Sequence, residues 1–359
     1  MIKVLVVEDS PVALELLKHI LSSDPEINVI GTAENGLEAV EFVSRQKPDV
    51  ITMDIIMPKM DGFEATRSIM ESNPVPIVIV SASLVREEVE KTWKAVEAGA
   101  VAVLEKPKYS SPGQPSEDAE RLIETVKLMS QVKVVRRWRR AVPSNPVPAP
   151  AAALPRPVVR KASDRHIKVV AIGASTGGPP VLQQLFSKLP SNFRYPVLLV
   201  QHISPGFTRG FVDWLNRTSN VKVDLASNGE TAVPGRVYVA PDGLQMKIEP
   251  SGKIILANDK PENGIRPSVS YLFRSVARSF GDKAVGVLLT GMGRDGAEEL
   301  KAMRDEGAVT IAQDKESCIV YGMPMEAVKL GGAQYSLSPE RMTEMLVRLS
   351  DNPGTREDS

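Results

Sequence analysis

Hydrophobic and polar residues alternate in blocks through the first 130 positions. Short, continuous apolar runs occupy 2–7, 29–31, 50–53, 77–80 and 101–104. Amphipathic stretches with helical spacing lie between and after them, at 12–21, 36–44, 62–71, 86–98 and 117–129. Runs that are apolar throughout are typical of strands covered on both faces. Strands that alternate with helices predict βαβ units and a parallel α/β sheet over residues 1–130.

The pattern ends in a segment that cannot fold in the same way. Residues 133–140 place five cations around a tryptophan, and residues 141–157 contain six prolines. Proline cannot continue a helix interior or a central strand, so 131–165 is predicted to be a basic and then Pro-rich linker. The basic part is either a solvated extension of the preceding helix or a docking segment for an acidic partner or the inner membrane face.

A second alternation begins at residue 168 and predicts another α/β domain over 166–350. Buried strands are expected at 169–172, 197–200, 284–289 and 309–312, and helices at 179–188, 208–218, 268–280, 297–306 and 339–349. Three short runs at 237–239, 245–249 and 253–256 are separated by turn signals and favour an antiparallel excursion. Residues 351–359 are predicted to form a disordered tail. The predicted fold class is therefore α/β, with two doubly wound parallel-sheet domains.

Composition narrows the class of protein. The 359 residues include 44 basic and 44 acidic side chains, so no overall field attracts nucleic acid or anionic lipid. A single cysteine, Cys318, excludes an internal disulfide and fits a reducing compartment. No apolar stretch reaches the ~18 residues of a spanning helix, so membrane insertion is not expected. The sequence predicts a cytoplasmic protein with no nucleic-acid partner.

Five polar side chains follow strands of the first domain. Glu8 and Asp9 follow the first strand, Asp54 the third, Ser81 the fourth and Lys106 the fifth. Ligands of parallel α/β sheets bind outside the carboxyl ends of the strands. Crowded carboxylates repel one another and favour Mg²⁺, and a nearby lysine would help to neutralise a phosphoryl group. The alternative is a set of solvated loop acids.

The segments MDIIMPKMDG around Asp54 and EKP at Lys106 make this domain similar to response-regulator receiver domains, which have a flavodoxin-like fold. The resemblance implies that Asp54 accepts a phosphoryl group from a chemotaxis histidine kinase. It implies a Mg²⁺ site formed by Glu8, Asp9, Asp54 and the main-chain carbonyl of Ile56. It also implies that Ser81 and Lys106 contact the phosphate. Many receivers carry an aromatic switch residue where this chain has Val103.

A candidate nucleophile follows the first strand of the second domain. Residues 173–177 read Gly-Ala-Ser-Thr-Gly, which satisfies G-x-S-x-G between a strand and a helix. Such a turn would project the hydroxyl of Ser175 at the sheet edge, near helix N-terminal amides that favour an oxyanion. A nucleotide-binding loop and a purely structural turn remain alternatives, although the dinucleotide and P-loop spacings are missing. Cys318 is a rival nucleophile that lacks a local activating motif.

A serine nucleophile needs a base, and the chain offers three histidines. His19 lies in a predicted helix and His166 in the linker, whereas His202 follows a strand at the same sheet edge as Ser175. Elimination therefore selects His202. Asp295, in the loop GMGRDG, and Asp314 are the candidate carboxylates that would orient it, and the glycine-rich loop favours Asp295.

The segments GASTGGP, QHISPGFT, RPSVSYLFRSVA, LLTGMGRDGA and QDKESCIVYGMP are similar to the catalytic domain of chemotaxis protein-glutamate methylesterases, a Rossmann-like fold. The resemblance implies Ser175 as nucleophile, His202 as base, Asp295 as its partner, Met292 as an oxyanion donor through its amide, and Thr176 beside the histidine. It implies hydrolysis of glutamate γ-methyl esters on the cytoplasmic helices of methylated chemoreceptors, with deamidation of certain glutamines. No cofactor is expected for the esterase.

Two differences from the family pattern concern regulation. The linker is longer than expected, and Lys315 replaces an acid. If the first domain gates the second, its face near Asp54 must cover the crevice between Ser175 and Met292. An inactive phosphorylation-gated binding module and a nucleotide-dependent oxidoreductase are the alternative functions. The complete set of Ser175, His202 and Asp295 argues against the first, and the missing dinucleotide spacing argues against the second.

Overall fold

The structure is a computed structural model that describes residues 1–82, 86–107, 117–132, 134, 166–262 and 264–351. Residues up to 132 form an N-terminal domain and residues 166–351 a C-terminal domain. Most of the predicted linker 131–165, including nearly all of the basic segment 133–140, and nearly all of the predicted tail 351–359 lie outside the described residues. Among the helices that are described, none is long and apolar enough to cross a bilayer.

The N-terminal domain is a five-stranded parallel sheet with strand order β2-β1-β3-β4-β5. Its strands are β1 (Ile2–Val7), β2 (Ile27–Ala33), β3 (Val50–Met53), β4 (Ile77–Ser81) and β5 (Ala102–Glu105). Its helices are α1 (Pro11–Ser22), α2 (Gly36–Arg45), α3 (Gly62–Ser72), α4 (Arg86–Ala98) and α5 (Glu117–Met129). The central strands β1, β3 and β4 are almost wholly buried, which explains their unbroken apolar runs.

The C-terminal domain is a seven-stranded parallel sheet with strand order β14-β13-β12-β6-β7-β9-β8, plus an antiparallel pair, β10 and β11. Its strands are β6 (Val169–Ala174), β7 (Val197–Gln201), β8 (Lys222–Leu225), β9 (Arg236–Val239), β10 (Gln245–Ile248), β11 (Ile254–Ala257), β12 (Ala284–Leu288), β13 (Val309–Gln313) and β14 (Tyr335–Leu337). Its helices are α6 (Gly178–Lys188), α7 (Thr208–Thr218), α8 (Val269–Phe280), α9 (Ala297–Asp305), α10 (Met323–Lys329) and α11 (Pro339–Asp351). The first strand of this domain, β6, lies in the middle, so β6 and its neighbours β7 and β12 form the switch point where α/β sheets bind ligands.

The prediction of two parallel α/β domains is confirmed, but one part of the antiparallel excursion is wrong. Residues 237–239 belong to β9, which pairs in parallel with β7 and β8 in the main sheet. Only β10 and β11 form the antiparallel pair. Turn signals on both sides of 237–239 resemble those of a hairpin, yet its valines are buried in the main sheet. Strands β8 and β14 and helix α10 were not predicted, because elements of three to seven residues are too short to show a period.

The two domains contact each other through an aromatic cluster. Trp93 of α4 is fully buried and lies against Phe211 and Trp214 of α7, with ring centroids 5.1 and 5.5 Å apart. The rings of Trp93 and Trp214 are stacked, with an interplanar angle of 21°. Gly210 of α7 lies directly beneath Trp93 and Val89. The apolar cores of the two domains are therefore continuous across this interface.

Candidate functional sites

Strand register brings the predicted nucleophile and base together. Ala174 at the end of β6 pairs with Gln201 at the end of β7, so Ser175 and His202 are the next residues on two adjacent strands. The backbone amide of His202 donates to the carbonyl of Ala174 over 2.9 Å. Adjacent strands lie about 4.8 Å apart, and both residues border one cavity. The sequence placed these two side chains at the same sheet edge, and the structure does so too.

The chain turns sharply after Ser175 and enters α6. The amide of Gly178 donates to the carbonyl of Ser175 over 2.8 Å, and Gly177 at the helix N-cap has a φ of 80°. Glycine adopts this left-handed conformation without the steric cost that other residues incur. The G-x-S-x-G spacing thus corresponds to a strand–turn–helix, the setting required for a nucleophile elbow.

Asp295 is the carboxylate that contacts the base. Its Oδ2 lies 2.9 Å from Nε2 of His202, while Asp314 instead accepts hydrogen bonds from Ser317. Burial acts to raise the pKa of Asp295, but hydrogen bonds from His202 and Ser270 outweigh it and hold the pKa below its ordinary value. Asp295 therefore stays ionised and can stabilise an imidazolium.

Helix α8 holds Asp295 through its N-terminus. Oδ2 accepts from the amide of Val269 over 2.7 Å, and Oδ1 accepts from the amide of Ser270 over 3.0 Å and from the hydroxyl of Ser268 over 2.8 Å. Free amides and the helix dipole favour a negative charge there. This support was missed from the sequence, although the serines of RPSVSYLF are a typical N-cap signal.

Thr290 is a second supporting residue that sequence reasoning missed. Its carbonyl accepts from the amide of Ser175 over 3.0 Å, and its hydroxyl donates to the carbonyl of Thr176 over 3.0 Å. The same hydroxyl accepts from the amide of Val320 over 2.9 Å, and the Thr290 amide donates to the side chain of Gln313 over 2.8 Å. One fully buried threonine thus joins the nucleophile turn to the loop after β13.

Gln201 connects the nucleophile turn to the base. Its side-chain amide donates to the carbonyl of Ser175 over 2.8 Å and to the carbonyl of His202 over 2.9 Å. Gln201 is 5% exposed, so these two hydrogen bonds are shielded from water. Two buried hydrogen bonds from one side-chain amide restrict the relative positions of the groups they join.

The loop after β12 approaches Ser175 closely. An added Cβ at Gly291 would lie 2.6 Å from Cβ of Ser175, a separation that real side chains do not tolerate. The absence of a side chain therefore lets the backbone of Gly291 and Met292 run beside the nucleophile. Met292 borders the same cavity as Ser175, as does Thr176.

The cavity above the Ser175 edge lies between the two domains. Its volume is about 460 Å³. The C-terminal domain contributes Ser175, His202 and Met292, and the N-terminal domain contributes residues of α4, β5 and α5 that include Val103 and Arg121. The amide of Glu105, next to Lys106, donates to the hydroxyl of Ser204 in the loop after His202 over 3.4 Å. The N-terminal domain therefore covers the crevice, as expected if it gates access.

The rival nucleophile Cys318 lies in an unfavourable environment. Burial, together with the charge of Asp314, raises the pKa of its thiol to about 12. A thiol with such a pKa is almost entirely protonated at neutral pH, and the thiolate is the reactive form. The structure thus favours a packing role for Cys318.

In the N-terminal domain, three carboxylates gather at the ends of β1 and β3. Glu8, Asp9 and Asp54 place one carboxylate oxygen each within 4.8 Å of the others. Lys106 Nζ lies 2.9 Å from Asp54 Oδ2 and 2.9 Å from Glu8 Oε2. Ser81 is fully buried at the end of β4, and its carbonyl accepts from the amide of Lys106 over 3.0 Å.

Electrostatics favour a cation beside these carboxylates. Burial and the charge of Glu8 raise the pKa of Asp54 to about 7, although Lys106 acts in the opposite direction. Burial also raises the pKa of Glu8. Hard oxygen ligands that crowd one another in this way suit Mg²⁺, whose charge would offset their repulsion. Ile56 follows in the same loop and is 45% exposed, and its carbonyl remains a predicted ligand.

Comparisons with known proteins agree with this geometry. Residues 4–111 match the response regulator receiver domain family, and residues 170–346 match the CheB methylesterase family. A protein-glutamate methylesterase/protein-glutamine glutaminase of Syntrophus aciditrophicus is 57% identical over 98% of this chain and 99% of its own length. The chain belongs to the CheB methylesterase family. The resemblance of the first domain to receiver domains and of the second domain to methylesterases, which the sequence predicted, is confirmed.

Other members of the family are also similar to this chain. The enzyme of the same name from Geobacter metallireducens is 52% identical over 98% of this chain and 99% of its own length. The solved catalytic domain of Thermotoga maritima CheB is 38% identical and covers 51% of this chain and 98% of its own, with a TM-score of 0.49.

Proposed function

We propose that this chain is a phosphorylation-activated serine hydrolase that demethylates glutamate γ-methyl esters on chemoreceptors, and so produces sensory adaptation. The His202–Asp295 pair at the same switch point as Ser175, beneath a receiver domain, is the observation that carries the proposal. Its substrate would be the cytoplasmic part of methylated receptors, and its phosphodonor a chemotaxis histidine kinase. Residues 1–130 and 166–350 are the two functional domains, joined by the linker 131–165.

In the esterase reaction, the Ser175 hydroxyl attacks the ester carbonyl while His202 takes its proton. Because Nε2 of His202 faces Asp295, Nδ1 is the nitrogen available to the nucleophile. Asp295 holds this tautomer and stabilises the imidazolium. Methanol leaves with the proton from His202, and water then hydrolyses the acyl-serine by the same route in reverse.

The charge that develops on the carbonyl oxygen requires donors beside Ser175. The main chain of Gly291 and Met292 runs next to the nucleophile, which supports the Met292 amide as an oxyanion donor. Thr176 lies beside the nucleophile, with its carbonyl fixed by Thr290. A glutamine side chain would form the same acyl-serine with loss of ammonia, so deamidation needs no second site.

Phosphorylation uses the carboxylate pocket of the N-terminal domain. Asp54 is the proposed acceptor, with Glu8, Asp9, Asp54 and the Ile56 carbonyl as ligands of Mg²⁺. Bound Mg²⁺ would supply positive charge that offsets the repulsion between acceptor and phosphoryl group. Lys106 is already paired with Asp54, so its ammonium group is placed to contact a phosphoryl group on that carboxylate. Ser81 is the second group proposed to contact the phosphate.

The N-terminal domain gates the esterase by covering the crevice. A phosphoryl group on Asp54 would draw Lys106 away from Glu8 and towards the phosphate, and Lys106 is adjacent to Glu105, whose amide contacts Ser204. Phosphorylation can release the crevice only as far as it stabilises the open arrangement over the closed one, about 1.4 kcal/mol for each tenfold change. Val103 lines the cavity where many receivers have an aromatic residue.

The direct test is Ser175→Ala. This variant should lose methanol release from methylated receptor while retaining its fold and its labelling by a small phosphodonor. Removing a triad member typically costs several orders of magnitude in turnover. Near-normal methanol release by this variant would contradict the serine mechanism and point to Cys318 instead.

A further inference from the structure

The closed arrangement leaves room at the nucleophile. The cavity over Ser175 measures about 460 Å³, within the range of roughly 300–1,000 Å³ that holds small molecules. Its rim is open to solvent, because Pro205, Gly243 and Gly264 are exposed and Met292 is 37% exposed.

A receptor helix does not fit the same space. A helix with its side chains is about 10–12 Å across and advances 5.4 Å with each turn. A helix that reaches Ser175 has further turns on both sides of the reacting residue, and α4, β5 and α5 of the N-terminal domain line the cavity and restrict the room for them. Covering the crevice excludes the helix because of its length and width, not because the reacting groups are blocked.

The contacts that support the reacting groups are already formed in this closed arrangement. His202 Nε2 contacts Asp295 at 2.9 Å, and Gln201 and Thr290 fix the turn that carries Ser175. We propose that the closed, unphosphorylated enzyme hydrolyses small, soluble carboxylic esters that the receiver domain does not exclude. This inference rests on the proposed esterase function. It means that the N-terminal domain, where it covers the crevice, selects substrates by size.

The lining indicates which small esters fit best. Around the cavity, three carboxylates of Asp118, Glu124 and Asp242 accompany two guanidinium groups of Arg121 and Arg266. Such a nearly balanced set gives no strong attraction for a highly charged ligand, so a neutral ester is favoured. The Ser175 hydroxyl forms a bond to the acyl carbon and gives its proton to His202, while the bond between the acyl carbon and the alkoxy oxygen breaks and the alcohol leaves with that proton. Water then hydrolyses the acyl-serine, which releases the acid and restores the Ser175 hydroxyl.

The experiment compares two substrates in the full-length protein. One is N-acetyl-glutamic acid α-amide γ-methyl ester, a neutral small molecule, and the other is methylated receptor. Each is measured with Mg²⁺ alone and with Mg²⁺ plus phosphoramidate, a phosphodonor that has no ester carbonyl. We expect receptor demethylation to rise severalfold, while small-ester hydrolysis changes by less than about twofold. Ser175→Ala should abolish both.

Other results overturn the inference in distinguishable ways. If phosphoramidate accelerates both substrates equally, the closed form is inactive towards small esters as well. If the receptor is demethylated but the small ester is not hydrolysed in either state, the inference fails while the proposed function stands. If phosphoramidate does not change the rate of receptor demethylation, the receiver domain does not select substrates by size, and the inference is wrong. If neither substrate is hydrolysed, the proposed function itself fails.

Discussion

Gly210→Ala tests whether the interface between α4 and α7 keeps the enzyme closed. Gly210 lies in α7, beneath α4 of the other domain. An added Cβ would lie 2.1 Å from Cγ1 of Val89 and 3.0 Å from two ring atoms of Trp93. Alanine stabilises a helix by up to about 1 kcal/mol over glycine, so the C-terminal domain itself should not be weakened. The substitution therefore acts on the interface between the domains.

The size of the effect follows from the packing. Overfilling a well-packed contact typically costs 1–3 kcal/mol. Trp93 is fully buried and Val89 is 7% exposed, so a shift of either side chain disturbs the residues packed around it. A cost of 1–3 kcal/mol shifts the closed–open equilibrium by about 5- to 150-fold. Receptor demethylation by the unphosphorylated variant should rise by this factor, up to the rate of the phosphorylated enzyme.

The assay measures methanol release from methylated receptor, without and with a phosphodonor, for the parent and the variant. Asp213→Ala is the matched control, because Asp213 lies on the exposed face of the same helix, one turn further on. The control should keep the parent's low basal rate and its full response to the phosphodonor. Gly210→Ala should show a high basal rate and little further response.

A specific result would refute this reasoning. If folded Gly210→Ala demethylates the receptor at the parent's unphosphorylated rate and still responds fully to the phosphodonor, the contact between α4 and α7 does not restrain the enzyme. The receiver would then act by localising the enzyme or by activating it directly.

Substitutions at three further positions test the pockets. Asp54→Asn should block Mg²⁺-dependent phosphoryl labelling, and labelling that maps to Asp9 would show that the acceptor is misassigned. In the presence of a chelator, Asp54→Asn should also raise the melting temperature of the protein. This increase should grow from about pH 4 to pH 7, because the folded pKa of Asp54 is raised to about 7. Thr290→Val leaves the buried Val320 amide without its acceptor, so kcat should fall about tenfold or more. Thr290→Ser keeps the hydroxyl and should restore kcat. An equal loss of kcat in both variants would show that the hydroxyl does not support the site. Asp295→Asn should lower kcat by about 10³- to 10⁴-fold. Because the folded pKa of Asp295 is lowered, the parent's advantage in unfolding free energy should be full above about pH 4 and shrink below it, and a pH-independent difference would contradict this.

The amino-acid sequence was sufficient to predict the site residues that lie at the ends of strands. Ser175 and His202 each follow an apolar run, and parallel strands bring their carboxyl ends to one edge. The choice of Asp295 over Asp314 was also predictable from the sequence, because a glycine-rich loop after a buried strand can approach the crevice. Its contact with His202 agrees with that choice.

Other features depend on tertiary contacts that no local pattern encodes. Thr290 is an ordinary threonine after a strand, and its role arises from partners in three separate segments. The run 237–239 was assigned to the wrong sheet because short apolar runs do not reveal their pairing. The apolar face of α4 predicted burial, but the pattern could not distinguish its own sheet from α7 of the other domain.

The aromatic cluster at Trp93 also bears on how such a protein can evolve. A linker alone would suffice to join a receiver domain to an output domain if the two made no specific contact. Here an unrelated receiver without an indole at this place would leave Phe211 and Trp214 uncovered. The two halves are therefore expected to be inherited as a matched pair, with α4 and α7 changing together rather than independently.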